Sequence, residues 1–463
     1  MPIQLYNISP LGRQSIYYYE VLICCGRGYN VMAEWRVMQI HVVKAGDTMT
    51  SIANQYGVSA ERIIIENELP NPDNLLVGQS IGIRVPDVVH TVVQGNTLTG
   101  IAQIYNTTIT QIFQNNPQVA AKGLVPGEVL VITYANEAKI DTVVTNGYAY
   151  PFIDRSVLRK TLPFLTYLSL FTYGFTATGE LIPIEDEELI ALAKEFGVAP
   201  IMVLAPMDAQ GNFSSESAHT MFTNPQAQTN LVTNLVTTLQ AKGYAGIDID
   251  FEFILPEDKQ NFINFVTAVN SALDKVGLIT LVALAPKTSG EMKGLLYEAH
   301  DYAAIGAVAD EVLLMTYEWG YTYGPPMATS PINNMRKVLQ YGVTVIDPDK
   351  ILMGTPNYAY DWPLPFVQGT TSAQSLGNQE ALERAANNGV PIQFDEEAQS
   401  PFYNYTTAEG VQHVVWFDDV RSMNAKLRLI PEFKLNGSGV WQVMRYFPGL
   451  WMVMSSLYII TKV

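Results

Sequence analysis

The hydrophobic pattern of the chain changes character at two places, near residue 38 and near residue 140. Between them, short apolar runs alternate with stretches of helical spacing, and the whole arrangement occurs twice. His41, Gly46, Thr48, Ile52, Ala53, Tyr56, Ile63, Asn67, Gly78 and Ile83 recur 49 residues later as His90, Gly95, Thr97, Ile101, Ala102, Tyr105, Ile112, Asn116, Gly127 and Ile132, with no gap. In the first copy the pattern predicts a strand over 41–43, a turn at Gly46-Asp47, helices over 48–56 and 59–66, and a closing strand over 80–85. Past a polar link at 136–141, apolar strand-like runs separated by helical stretches fall at 143–152, 167–176, 199–206, 246–253, 279–286, 311–320, 351–360 and 439–444. Eight such runs in alternation predict an α/β fold, a (β/α)₈ TIM barrel. The Gly, Asn, Ser and Thr-rich stretch between the last two reads as a small insertion subdomain at about 365–412.

The expected organisation is therefore two small βααβ modules, 38–86 and 87–134, followed by a barrel over 141–463. Residues 1–37 share no pattern with the rest of the chain and read as an extension, with Met38 the expected natural start. They also lack the basic start and continuous apolar run of a secretion signal, since Gln4, Asn7, Arg13, Gln14 and Glu20 interrupt them. The apolar stretch 447–460 is broken by Pro448, Ser455 and Ser456 and falls short of the roughly 20 residues a membrane helix needs, so it reads as core.

Composition narrows the range of partners. With 27 Lys and Arg against 44 Asp and Glu, the net charge is −17, which argues against nucleic acid or anionic lipid and for a neutral ligand. The two cysteines are adjacent, Cys24 and Cys25, so neither a disulfide framework nor a cysteine metal site is expected.

The most informative stretch is Gly246-Ile-Asp-Ile-Asp-Phe-Glu-Phe253. A strand alternates its side chains between two faces, so Asp248, Asp250 and Glu252 share one face and Ile247, Ile249, Phe251 and Phe253 the other. In a barrel this aims three carboxylates inward. Burying acids together disfavours their full ionisation, so at least one holds a proton near neutral pH, as a general acid must. Glu252 lies nearest the C-terminal mouth, where barrel enzymes place their chemistry. A metal site is the competing reading; the chain has only five histidines and none on this strand, so no metal and no cofactor is expected.

These residues carry two resemblances. The repeat resembles LysM modules, which bind N-acetylglucosamine-containing glycans, through Val-x-x-Gly-Asp-Thr, Ile-Ala and Asn67 in one copy and Val-x-x-Gly-Asn-Thr, Ile-Ala and Asn116 in the other. The resemblance implies sugar grooves around 46–49 with 71–76, and 95–98 with 119–124. The acidic strand resembles the Asp-x-x-Asp-x-Asp-x-Glu signature of family 18 glycoside hydrolases, with Ala245 in place of the first acid. Supporting matches are Met315-Thr-Tyr317-Glu318, Gly354-x-Pro356-x-Tyr358 with Trp362, and Trp441. The Ser-x-Gly-Gly of the third strand is absent, which points to a divergent branch.

The second resemblance implies a retaining mechanism assisted by the substrate's own 2-acetamido group. Glu252 is then the acid, Asp250 orients the acetamide, Asp248 shares a proton with Asp250, Tyr317 holds the acetamide carbonyl and Trp441 forms the sugar floor. Tyr358, Trp362 and Glu318 are candidate substrate contacts. The combination of modules is similar to the spore-associated cortex-lytic N-acetylglucosaminidases of endospore formers. It implies a peptidoglycan or chitin-type glycan as partner and a spore or cell-wall location. The alternatives are a chitinase or chito-oligosaccharide hydrolase, and an inactive carbohydrate-binding spore coat protein.

Overall fold

In the computed structural model, residues 38–207 and 211–463 are described; the expectations for 1–37 lie outside them. The first repeat pairs strand Gln39–Val42 antiparallel with Ser80–Ile83 and places helices Met49–Tyr56 and Ala60–Asn67 between them. Capping explains where these helices start. Thr48 accepts from the Ser51 N–H while the Ser51 hydroxyl accepts from the Thr48 N–H, and Ser59 accepts from the Arg62 N–H. The second repeat continues with strands Pro86–Thr91 and Val129–Tyr134 and helices Leu98–Tyr105 and Ile109–Asn115, capped by Thr97 and Thr108.

The repeated polar residues bind the modules together from inside. The Asn67 side chain donates to Ile63 and Gly82 carbonyls and accepts the Gly82 N–H; Asn116 does the same with Ile112 and Val131. His41 joins Tyr56 to Asp47 and His90 joins Tyr105 to Asn96. The copies differ at 119–124, expected as a groove loop: Pro117–Lys122 forms an additional helix, started by a proline at its first position.

Eight parallel strands close the barrel in chain order: Asp141–Ala149, Tyr167–Phe175, Ala199–Leu204, Gly246–Ile249, Ile279–Leu284, Glu311–Leu314, Ile351–Pro356 and Gly437–Trp441. The first pairs with both the second and the eighth. Side chains from alternate positions fill the interior, among them Tyr148, Phe171, Val203, Leu281, Leu313 and Leu352. The larger core lies between strands and outer helices, where Phe251 meets Phe222, Phe262 and Phe265. The apolar stretch at 447–460 belongs to this core: helix Pro448–Leu457 is buried along its whole length, and Tyr458–Ile460 adds a strand beside the first barrel strand. Among the described residues no helix is long and apolar enough to cross a membrane.

The insertion is wider than the 365–412 expected. It opens at strand Ala359–Leu364, directly after the seventh barrel strand, and runs to Gln412–Trp416, giving a five-stranded antiparallel sheet with helix Asn378–Asn387. The first repeat is seated on it. Leu76 is part of the insertion's apolar core, and the Ile392 N–H bonds the Val77 carbonyl at 2.9 Å. Arg421 donates to Gly78 at 2.8 Å, and Gln379 to the carbonyls of Asn67 and Glu68 at 3.0 Å. Gly78 (φ +87°) is required here, because a Cβ would lie 1.9 Å from the Ile392 oxygen. Of the groove residues expected at 71–76, Leu76 is thus taken up by packing, while Asn71, Asp73 and Asn74 stay exposed.

Candidate active site

The fourth barrel strand is shorter than its apolar pattern suggests: pairing ends at Ile249, and Asp250, Phe251 and Glu252 continue toward the mouth outside the ladder. The Asp250 N–H still bonds the Leu204 carbonyl at 3.0 Å, and Phe253 turns the chain with φ +53°. Alternation survives this exit. Ile247, Ile249 and Phe251 are buried against the helices, Asp248 is buried within the barrel, and Asp250 and Glu252 line a pocket of about 380 Å³ at its mouth.

The acids share one environment without a cation. The residues lining the pocket include no lysine, arginine or histidine. Tyr148 donates to Asp248 Oδ2 at 2.5 Å, while Asp248 Oδ1 and Asp250 Oδ1 have no hydrogen-bond partner among the described residues. Burial pushes the Asp248 carboxyl up to about 6, with the Tyr148 hydroxyl pulling the other way. Asp250 is held well above the ordinary carboxylate range by burial and then by the charges of Glu252 and Asp248. Glu252 is pushed up to about 7 by burial and by the nearby Glu318. Three coupled acids of this kind cannot all be ionised at neutral pH.

Aromatic side chains complete the walls. Tyr317 lies against the acids, its hydroxyl kept protonated by burial and by the Asp250 and Glu252 charges. Trp441 forms one face, its ring centroid 5.5 Å from that of Tyr148 and 5.0 Å from that of Phe171. Glu318, with φ +65°, accepts from the hydroxyls of Tyr358 and Tyr360, the latter at 3.1 Å.

Two expected contacts are corrected. Tyr358 does not line the pocket; its hydroxyl is spent on Glu318. Trp362 is fully buried, and its indole donates to the Gly324 carbonyl at 2.9 Å. The reason is that residues from 359 onward form a strand of the insertion sheet, so Tyr358, Tyr360 and Trp362 stack from the cleft into the insertion's own core. Tyr360 is the member that reaches the pocket. It, Tyr148, Phe213 and Tyr297 are pocket-lining residues that sequence reasoning missed. For Tyr148 a signal existed, since it shares inward parity with Val144 and Tyr150 on the first strand.

A second cavity of about 370 Å³ lies between the repeats and the barrel. Its buried arginines are already paired, Arg62 with Glu66 and Arg84 with Glu137, and none of the stacked acids reaches it. Among the described residues no His, Cys, Asp and Glu group is arranged to hold a metal ion.

Comparison with known proteins yields consistent matches. The family described as Glycosyl hydrolases family 18 matches residues 209–445, and the LysM domain matches 41–84 and 90–133. The cortical fragment-lytic enzyme of Bacillus subtilis (strain 168) is 37% identical over 431 residues, covering 92% of this chain and 99% of its own. That of Bacillus cereus is 34% identical over 433 residues, covering 92% and 100%. The crystal structure of the Bacillus megaterium QM B1551 spore cortex-lytic enzyme SleL superposes with a TM-score of 0.78 at 38% identity, covering 92% of this chain and 99% of that one.

Proposed function

From the premise that the chain belongs to glycosyl hydrolase family 18 and carries two LysM domains, we propose that it hydrolyses the bond after N-acetylglucosamine in spore-cortex peptidoglycan or its fragments. The chain is a glycoside hydrolase. What supports the narrower reading is the stack of acids: Glu252, half-buried at the pocket and titrating near 7, stands over Asp250 and Asp248, which have no cation to neutralise them. For the substrate, the reading is supported by the relatives, which are named cortical fragment-lytic enzymes.

These positions support the following steps. Glu252 in its acid form gives its proton to the glycosidic oxygen as the bond to the anomeric carbon breaks. The carbonyl oxygen of the 2-acetamido group attacks the same carbon and forms an oxazolinium ion, so no protein nucleophile is needed. Asp250 accepts the acetamide N–H and balances the developing positive charge, while Asp248 takes up the shared proton beneath it. Tyr317 donates to the acetamide oxygen, and Trp441 supports the apolar face of the ring. Water then attacks the anomeric carbon and returns a proton to Glu252, which retains the anomeric configuration. The paired LysM domains raise the local glycan concentration at the spore or cell wall, since two weak sites on one chain act together.

The test is mass spectrometry of soluble products from purified cortex peptidoglycan, with chito-oligosaccharides in parallel, for the parent and Glu252→Gln. Fragments ending in reducing N-acetylglucosamine from the parent, and none from the variant, are expected. Release from chito-oligosaccharides alone would replace peptidoglycan by a chitin-type substrate, and no release from either would leave a binding protein.

A further inference from the structure

Glu252 stands outside the hydrogen-bonded ladder, so its aim depends on whatever holds the chain from 250 to 253. The carbonyls of both its chain neighbours, Phe251 and Phe253, are held by side chains from other elements. On one side, the buried His300 donates from Nε2 to the Phe251 carbonyl at 3.0 Å. Its other nitrogen, Nδ1, accepts the Ala285 N–H at 2.8 Å, so the ring is a neutral imidazole of fixed tautomer that ties the fourth strand's exit to the fifth strand's end. On the other side, the Ser215 hydroxyl donates to the Phe253 carbonyl. Ser215 opens helix Ser215–Phe222, and one turn on, His219 bonds the buried Asp258 at 2.7 Å, fastening the same helix to the far end of the 253–258 segment.

The brace continues into the pocket wall. Lys287 Nζ donates to the carbonyls of His300 at 2.9 Å and Tyr297 at 3.1 Å, and Tyr297 lines the pocket. The Tyr302 hydroxyl donates to the Ala285 carbonyl at 2.6 Å and accepts the Lys287 N–H at 3.0 Å. His300 therefore links the segment that carries the acid to the pocket wall at Tyr297.

We propose that Ser215 and His300 are positioning residues that clamp the carbonyls of Phe251 and Phe253, the residues before and after Glu252, and so set the aim of its carboxyl. This rests on the reading of Glu252 as the acid. Neither side chain touches substrate, so their loss acts on turnover and not on binding. Misplacement of a reacting group by about 1 Å can cost on the order of a hundredfold in rate.

The experiment uses the full chain on a soluble glycan fragment, with kcat, KM, the pH profile of kcat/KM and melting temperature read for each variant. Ser215→Ala is expected to lower kcat about tenfold with KM within about twofold, and to move the alkaline limb of the profile, at a nearly unchanged melting temperature. Ser215→Thr, which keeps a hydroxyl, is expected to recover most of the rate. His300→Leu, which removes both bonds, is expected to lose more, and His300→Gln, which keeps an N–H within reach of Phe251, to recover part of it. A Ser215→Ala kcat within twofold of the parent, or a loss that Ser215→Thr does not restore, overturns the clamp alone. Turnover surviving in Glu252→Gln overturns the reading of Glu252 as the acid, and the clamp with it.

Discussion

Asp248 and Glu252 carry the same charge but answer to pH in different ways. On the proposed mechanism Glu252 works in its acid form, and burial holds it near 7, so kcat/KM is expected to fall as pH rises through about 7. Asp248 bears on stability. Its folded-state value, about 6, lies above the ordinary 3.8, so the folded chain binds this proton more tightly than the unfolded one. Stability therefore declines as pH rises from about 4 to about 6, and the cost is fully present at neutral pH. Asp248→Asn removes it: at pH 7.5 the variant is expected to be more stable than the parent, by on the order of 2 kcal/mol, with little gain at pH 4, while losing most activity. Equal gains in thermal unfolding at both values would show that the acid is not strained by burial. At this scale much was legible in the sequence, because period-two alternation needs only the strand's direction. Trp362 was not legible. Its spacing after Tyr358 matches a cleft aromatic, and only the start of a separate sheet at Ala359 sends it into the insertion's core.

At the scale of elements, the repeat displayed its own secondary structure through caps and turns, yet the reason for its asparagines became visible only in three dimensions. Each joins the second helix to the closing strand by two buried hydrogen bonds and makes a third to its own helix. Asn116→Ala removes the side-chain partner of the buried Val131 N–H and carbonyl, at about 1–3 kcal/mol each, while the Ile112 carbonyl keeps the residue's own backbone N–H. Hydrogen exchange is expected to show faster exchange across 109–134, with the barrel strands unchanged; protection across the repeat equal to the parent's would overturn this role. The insertion's edges were blurred for a related reason. A strand that comes after the seventh barrel strand by only two residues, Asn357 and Tyr358, continues its apolar pattern, and no composition shift marks the change of sheet.

For the whole molecule, the two repeats and the barrel, expected as successive domains, pack as one compact unit among the described residues. Removing the first repeat strips Leu76 from the insertion's core and leaves the Ile392 N–H and the Arg421 guanidinium without their carbonyl partners. Deletion of 38–134 is expected to abolish retention on insoluble glycan and to lower the melting temperature by several degrees, with activity on small soluble fragments retained below the unfolding range. An unchanged melting temperature would mean that the docked surface contributes nothing. The strand at Tyr458–Ile460 beside Asp141–Val143 adds an order of events during synthesis. The βααβ repeats close on contacts within about 50 residues and can fold while the rest is still being translated. The barrel's first strand gains Gly437–Trp441 on one edge and Tyr458–Ile460 on the other only after those late segments have been translated. The nascent protein thus has its two repeats in place well before its barrel can close around a pocket.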